Sequence, residues 1–152
     1  MDWCGVSILK KIFLIFFIFS LLLYSNEEAK ILKLKIISAL SHTVSQKSLP
    51  LVYLDEYDLH VKDTKRFGFI LKKDCQEADI IFTNNASALP QECLDIDRHK
   101  LFTLSYKEYL QYESTAIGAF FWQKGRPNII LNRKLIQYYK LEIPKDYKKY
   151  IE

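Results

Sequence analysis

The stretch "GAFFWQKGRPNIILNRKL", residues 118–135, holds two apolar runs separated by a turn. A glycine and a proline, from a chain with four of each, flank Arg126 there. Extended upstream to "STAIGAFFWQ", the first run is apolar at successive positions, as a strand covered on both faces requires. In "KGRP", Gly125 can take positive φ, and Pro127, which lacks a backbone donor, fits the start of a strand. "NIIL" then returns antiparallel. Asn132 follows as the cap of a helix, "RKLIQYYK", whose Leu135, Ile136 and Tyr139 point inward. The stretch therefore reads as a β-hairpin feeding a helix, and turn chemistry explains its glycine and proline without a ligand.

Working outward from the hairpin, the other elements alternate. "EEAKILKLKIISALSHTVSQ" carries Ile36, Ile37, Leu40 and Val44 at helical spacing, with Asn26 as a cap and Glu27 and Glu28 at the positive end of the helix dipole. Pro50 precedes a short strand, "LVYLD". "RFGFILKK" predicts a strand, Cys75 to Glu77 a change of direction, and "ADIIFTN" a strand rich in β-branched and aromatic residues. "NNASALPQE" is a loop or short helix. "HKLFTLSY" is the next strand, with one or two helical turns in "SYKEYLQYES", and Pro144 opens a last helix, "PKDYKKYIE". The pattern predicts an α/β fold, a single compact domain with a small mixed sheet flanked by helices.

The N-terminus has a different character. Lys10 and Lys11 precede "IFLIFFIFSLLLY", residues 12–24, and a polar stretch follows. A basic flank, a short apolar block and a polar exit make the tripartite pattern of a signal peptide. Thirteen residues form a helix of about 20 Å, short of the roughly 30 Å hydrocarbon core of a bilayer. Residues 1–25 are accordingly expected to be a signal peptide or an uncleaved N-terminal anchor, and residues 26–152 an exported domain, periplasmic or otherwise extracytoplasmic. Without Lys10, Lys11 and Asp2 the net charge moves only from +4 to +3. Such a mild and scattered excess does not point to nucleic acid.

Export leaves Cys75 and Cys93. Outside the cytoplasm an even pair favours a disulfide; the other reading is two buried thiols packed as small apolar groups. Their spacing is not C-x-x-C, and no histidine neighbours them, so neither a redox dithiol nor a metal site is expected. His42, His60 and His99 lack H-x-x-x-H or H-E-x-x-H spacing, and no G-x-S-x-G or phosphate loop is present. The acidic cluster Asp55, Glu56 and Asp58 is better explained as a solvated strand end than as a cation site. The residues give no catalytic set, and no cofactor is expected.

From "ADIIFTN" through "LFTLSY" and "IGAFFWQKGRPNIILNRKLIQYYKLEIP" to "YKKY", the second half resembles the C-terminal part of the YfiR-like family of small periplasmic proteins. The residues that carry the resemblance are Cys75 with Asp79 to Thr83, Leu101 to Ser105, Gly118 to Trp122, Leu131-Asn132 and Lys140-Leu141-Glu142-Ile143. The resemblance implies an α/β periplasmic domain, without enzymatic activity, that restrains a membrane-bound signalling protein, a diguanylate cyclase or a sensor kinase. The hairpin supplies the candidate partner- or ligand-binding residues Trp122, Lys124, Arg126 and Asn128. The alternative function is a single-lobe module for a small periplasmic solute, with an anion on Arg126 and Trp122 as its aromatic floor.

Overall fold

The computed structural model describes residues 27–55 and 64–152. The expected signal peptide or anchor, the Asn26 cap, Glu56, Asp58 and His60 lie outside the described residues. The chain divides into one unit up to Ile37 and a second from Ser38 to Glu152. In the first, the described residues belong to helix α1 (27–45), on which Leu34 and Ile37 are buried at the spacing expected of an amphipathic helix. No helix among the described residues is long and apolar enough to cross a membrane.

The second unit is an α/β domain with six strands among the described residues: β1 (Leu51–Leu54), β2 (Ile70–Lys72), β3 (Ile80–Thr83), β4 (Lys100–Thr103), β5 (Ala116–Gln123) and β6 (Arg126–Leu131). Their order is β2-β1-β3-β4-β5-β6. The first five are parallel, and β6 alone is antiparallel, paired with β5. Helix α2 (Tyr106–Gln111) joins β4 to β5, and α3 (Arg133–Tyr138) follows β6. Among the described residues, short 3-10 helices lie in other connections, at Thr64–Phe67, Cys75–Glu77, Ala86–Ala88 and Gln91–Leu94. The fold is thus the mixed-sheet α/β domain that the sequence predicts. Two details differ: Thr64–Phe67 precedes β2 as a 3-10 turn, and the last helix, Lys145–Tyr150, is 3-10 rather than α.

Strand alternation gives the sheet two dry faces. One carries Val52, Ile80, Phe82, Phe102 and Phe120, each at most 1% exposed, with the Phe82 and Phe102 rings stacked 5.0 Å apart. The other carries Ile81, Leu101, Ala116, Ala119 and Ile130 and packs on Cys75, Ala78, Ala86 and Cys93 from the short helices and on Tyr109 of α2. Ala116 and Ala119 are three residues apart, so plain alternation would put them on opposite faces. A register shift between Leu101 and Phe102 pairs Leu101 with Ala116 but Phe102 with Gly118, which restores both alanines to one face. Gly118 is required here: a Cβ would lie 2.7 Å from the Phe102 ring and inside contact distance of the Ile130 carbonyl.

Within the second unit, residues 38–45 of α1 bury Leu40, Ser41 and Val44. Ser38 Oγ donates to the Phe67 carbonyl, and Gly68 (φ +81°) leaves room for His42, whose Nε2 would stand 2.8 Å from a Cβ there. These contacts hold the turn that enters β2. At the opposite edge, Glu152 N–H donates to the Leu131 carbonyl and Arg133 N–H to the Glu152 carbonyl, which pins the last residues beside β6.

Candidate interaction surface

Each end of the disulfide sits in a turn fixed by local chemistry. Asp74 caps Cys75–Glu77 by accepting from the Gln76 N–H, and the Cys93 N–H donates to the Pro90 carbonyl. The two buried sulfurs are joined, S–S 2.01 Å and Cα–Cα 5.8 Å. Of the two readings left open by the sequence, the disulfide is the one found, and the bridge ties the entry of β3 to the entry of β4. Asp74, Cys75 and Cys93 are the one His/Cys/Asp/Glu cluster among the described residues close enough for a metal, and the joined sulfurs offer it no thiolate. A disulfide, with no membrane-length helix among the described residues, is compatible with an extracytoplasmic location.

The carboxyl ends of the parallel strands carry a polar network. The Thr83 hydroxyl donates to Asp55 Oδ2 (2.8 Å) while its oxygen accepts the Asn85 N–H (3.0 Å), and Glu108 Oε2 accepts the Ala86 N–H (3.1 Å). Ser105 caps α2 by accepting the Glu108 N–H. Asp55, the one member of the acidic cluster that is described, is a half-buried, hydrogen-bonded strand end.

Beyond this edge stands the hairpin. β5 last pairs with β4 at Ala119 and continues to Gln123. Four further residues at strand rise carry it roughly 13 Å past that contact. The turn is Lys124-Gly125, both with positive φ (51° and 72°), so the loop is two residues long and its twist matches that of the flanking strands. The strand resumes at Arg126, one residue earlier than Pro127 suggested. Pro127 shares its parity with Leu131, whose carbonyl points away from β5 toward Glu152, so its missing donor costs no bond to β5.

The four candidate residues divide between faces. Trp122 pairs with Pro127 and lies on the face of Phe120 and Ile129; Arg126 and Asn128 lie on the other with Gln123 and Phe121. Trp122 is 42% exposed, Arg126 and Lys124 are exposed, and Asn128 is half-buried, its side-chain amide donating to the Arg126 carbonyl. Trp122 therefore does not lie beneath Arg126, and the aromatic floor expected for a solute anion is absent from that pair. The physical reason is the two-residue period of the strand, which separates 122 from 126 once the turn brings Gln123 opposite Arg126.

The face of Arg126 continues onto α2. The Tyr106 ring meets that of Phe121 at 5.7 Å, and Tyr106 and Leu110, one helical turn apart, are 47% and 55% exposed. Sequence reading placed α2 but did not single out these two residues. The signal was their i, i+4 spacing on a helix whose Tyr109 is buried, which leaves 106 and 110 on an outer flank.

Away from the hairpin, burial pushes the Tyr139 hydroxyl up to about 12, with Tyr138, Asp97 and Asp95 adding to the effect. Its O–H donates to the Ile96 carbonyl at 2.6 Å, and Lys100 Nζ lies 4.8 Å above its ring. Burial lowers the Lys100 ammonium against the opposing pull of Asp79. This cluster ties α3 to the loop before β4.

No protein-family model matches the chain, and no curated protein matches it. Among solved structures it is similar to a conserved domain protein of Vibrio cholerae O1 biovar El Tor strain N16961, with a TM-score of 0.53 and 9% identity. The match covers 78% of this chain and 58% of that one, and at such identity the likeness is one of fold alone.

Proposed function

We propose that this chain is a non-enzymatic periplasmic regulatory domain that binds and restrains a membrane-bound signalling protein, a diguanylate cyclase or a sensor kinase, with the β5–β6 hairpin as its contact. The observation that carries this reading is the hairpin itself. It leaves the sheet with an exposed tryptophan and two exposed cations, Lys124 and Arg126, that have no ion-pair partner among the described residues. Aromatic anchors and arginine are the residues enriched where binding energy concentrates. The class of partner follows from the resemblance of the second half to the YfiR-like family, and the disulfide and the apolar N-terminal block support export.

The test is capture of the partner from membranes by the tagged full chain. Lys124→Ala and Arg126→Ala should lower recovery of the signalling protein while thermal stability stays within about 0.5 kcal/mol. Equal recovery by both variants and the native chain would remove the hairpin from the contact.

A further inference from the structure

The hairpin carries apolar anchors on both of its faces, Trp122 with Pro127 and Ile129 on one, Phe121 with Tyr106 and Leu110 on the other. A single flat protein patch covers one face of such a ribbon. A layer into which the tip dips surrounds both. The charge along the hairpin has one sign: from Thr115 to Leu141 the chain has no aspartate or glutamate, and Lys124 and Arg126 stand at the tip. Lys107, on α2 next to Tyr106, adds a third exposed cation. None of these three is in an ion pair among the described residues. The nearby Glu108 is half-buried, and its carboxylate accepts from the Ala86 N–H and is in no ion pair with any of the three among the described residues.

We infer that the hairpin and the outer flank of α2 dock on the anionic headgroup layer of a bilayer. Lys107, Lys124 and Arg126 meet lipid phosphates, while Trp122 and Tyr106 sit at the boundary between headgroups and acyl chains. Indole and phenol rings favour that boundary because one end of each is apolar and the other carries an N–H or O–H that hydrogen-bonds to water. Cations near an anionic surface add attraction that falls off within a Debye length. Docking of this kind goes beyond the proposed regulation, because it needs no protein partner, and it would hold the domain at the height of a membrane-embedded one.

The apolar block at residues 12–24 would retain the full chain on any vesicle, so retention is not the readout; contact of Trp122 with lipid is. The chain has two tryptophans, and Trp3→Tyr leaves Trp122 as the one indole. The full-length variant is placed in vesicles of phosphatidylcholine, or of phosphatidylcholine with phosphatidylglycerol, both carrying brominated acyl chains as quencher. Trp122 emission is expected to shift to the blue and be quenched in the anionic vesicles only. The effect should weaken when salt is raised from 0.1 M to 1 M, which shortens screening from about 10 Å to about 3 Å. Each of Lys107→Gln, Lys124→Gln and Arg126→Gln should lower the equilibrium for docking about five-fold. All three positions are exposed, so the variants retain the fold.

Equal quenching in neutral vesicles, or none in either, overturns the inference. A blue shift that grows with protein concentration and ignores lipid charge would assign the surface to a second copy instead. Reduced partner capture by Arg126→Ala without any lipid quenching would assign it to protein alone, overturning lipid docking and leaving the proposed regulation standing. Quenching in anionic vesicles by a chain that captures no partner would do the reverse.

Discussion

The two halves of β5 obey different rules although they are one strand. Ala116 to Phe120 are all buried, between the stacked phenylalanines on one face and the disulfide-stapled cluster on the other; Trp122 and Gln123 are exposed. The change comes where β4 ends. A strand with neighbours and covered faces must be apolar at every position, whereas the same strand beyond its neighbour is free to carry residues chosen for contact with something else. Composition alone hides this, because "FFWQ" continues the apolar run across the boundary.

The comparison breaks first, if it is wrong, at Phe120. This side chain is 1% exposed, and Phe120→Ala should cost about 4 kcal/mol, the range of large core truncations. Denaturant melts measure it, and a loss below about 1 kcal/mol would mean that β5 leaves the core earlier than Ala119. Phe121, the next residue of the same apolar run, is only partly buried and should cost less on truncation.

Two changes test what closes over the buried half. Gly118→Ala should cost about 3 kcal/mol, because the new methyl meets a backbone carbonyl as well as the Phe102 ring, and a backbone cannot swing aside as a side-chain tip can. Replacing Cys75 and Cys93 together by serine should cost a similar amount, about 3 kcal/mol in the chain-entropy account of an 18-residue separation. Thiol titration of the unreduced, denatured chain should find neither of these sulfurs free.

A smaller effect belongs to the clasp between α3 and the loop before β4. Tyr139 has a folded pKa near 12 against 10.0 when exposed, because burial favours its neutral form. A raised pKa contributes stability that is fully present below pH 10 and is lost as pH rises toward 12. Alkaline melting curves should therefore fall through that window, and Tyr139→Phe should flatten the fall. The same change should cost about 1 kcal/mol at neutral pH through the lost bond to Ile96.

The smallest effect on stability is expected at the exposed end. Arg126→Ala should leave the stability within about 0.5 kcal/mol of the native chain's while lowering capture of the proposed signalling partner. A large loss of stability there would make the hairpin a structural element and collapse the contrast between the two halves of β5.

How much of this was legible in the sequence differs from feature to feature. The hairpin was, because Gly125, Pro127 and two flanking apolar runs allow few other arrangements. So was the α3 cap: Asn132 Oδ1 accepts from the Lys134 and Leu135 N–H groups, as its place before the helix predicts. The candidate surface was legible only in part. Trp122, Lys124, Arg126 and Asn128 were named together, but which of them share a face depends on turn length, and the positive φ at Lys124 could not be inferred from a lysine. Tyr106 and Leu110 were missed because their exposure depends on how α2 lies against β5.

Local chemistry thus determined the element types, the hairpin, the helix cap and the chance of a disulfide, since each depends on a few neighbouring residues and their backbone preferences. The tertiary structure decided the strand order β2-β1-β3-β4-β5-β6, the register shift that puts Ala116 and Ala119 on one face, and the pairing of Cys75 with Cys93. It also decided where β5 passes from core to protruding arm. Those depend on which distant segments meet, and that is a balance of packing between elements that no single stretch of sequence contains.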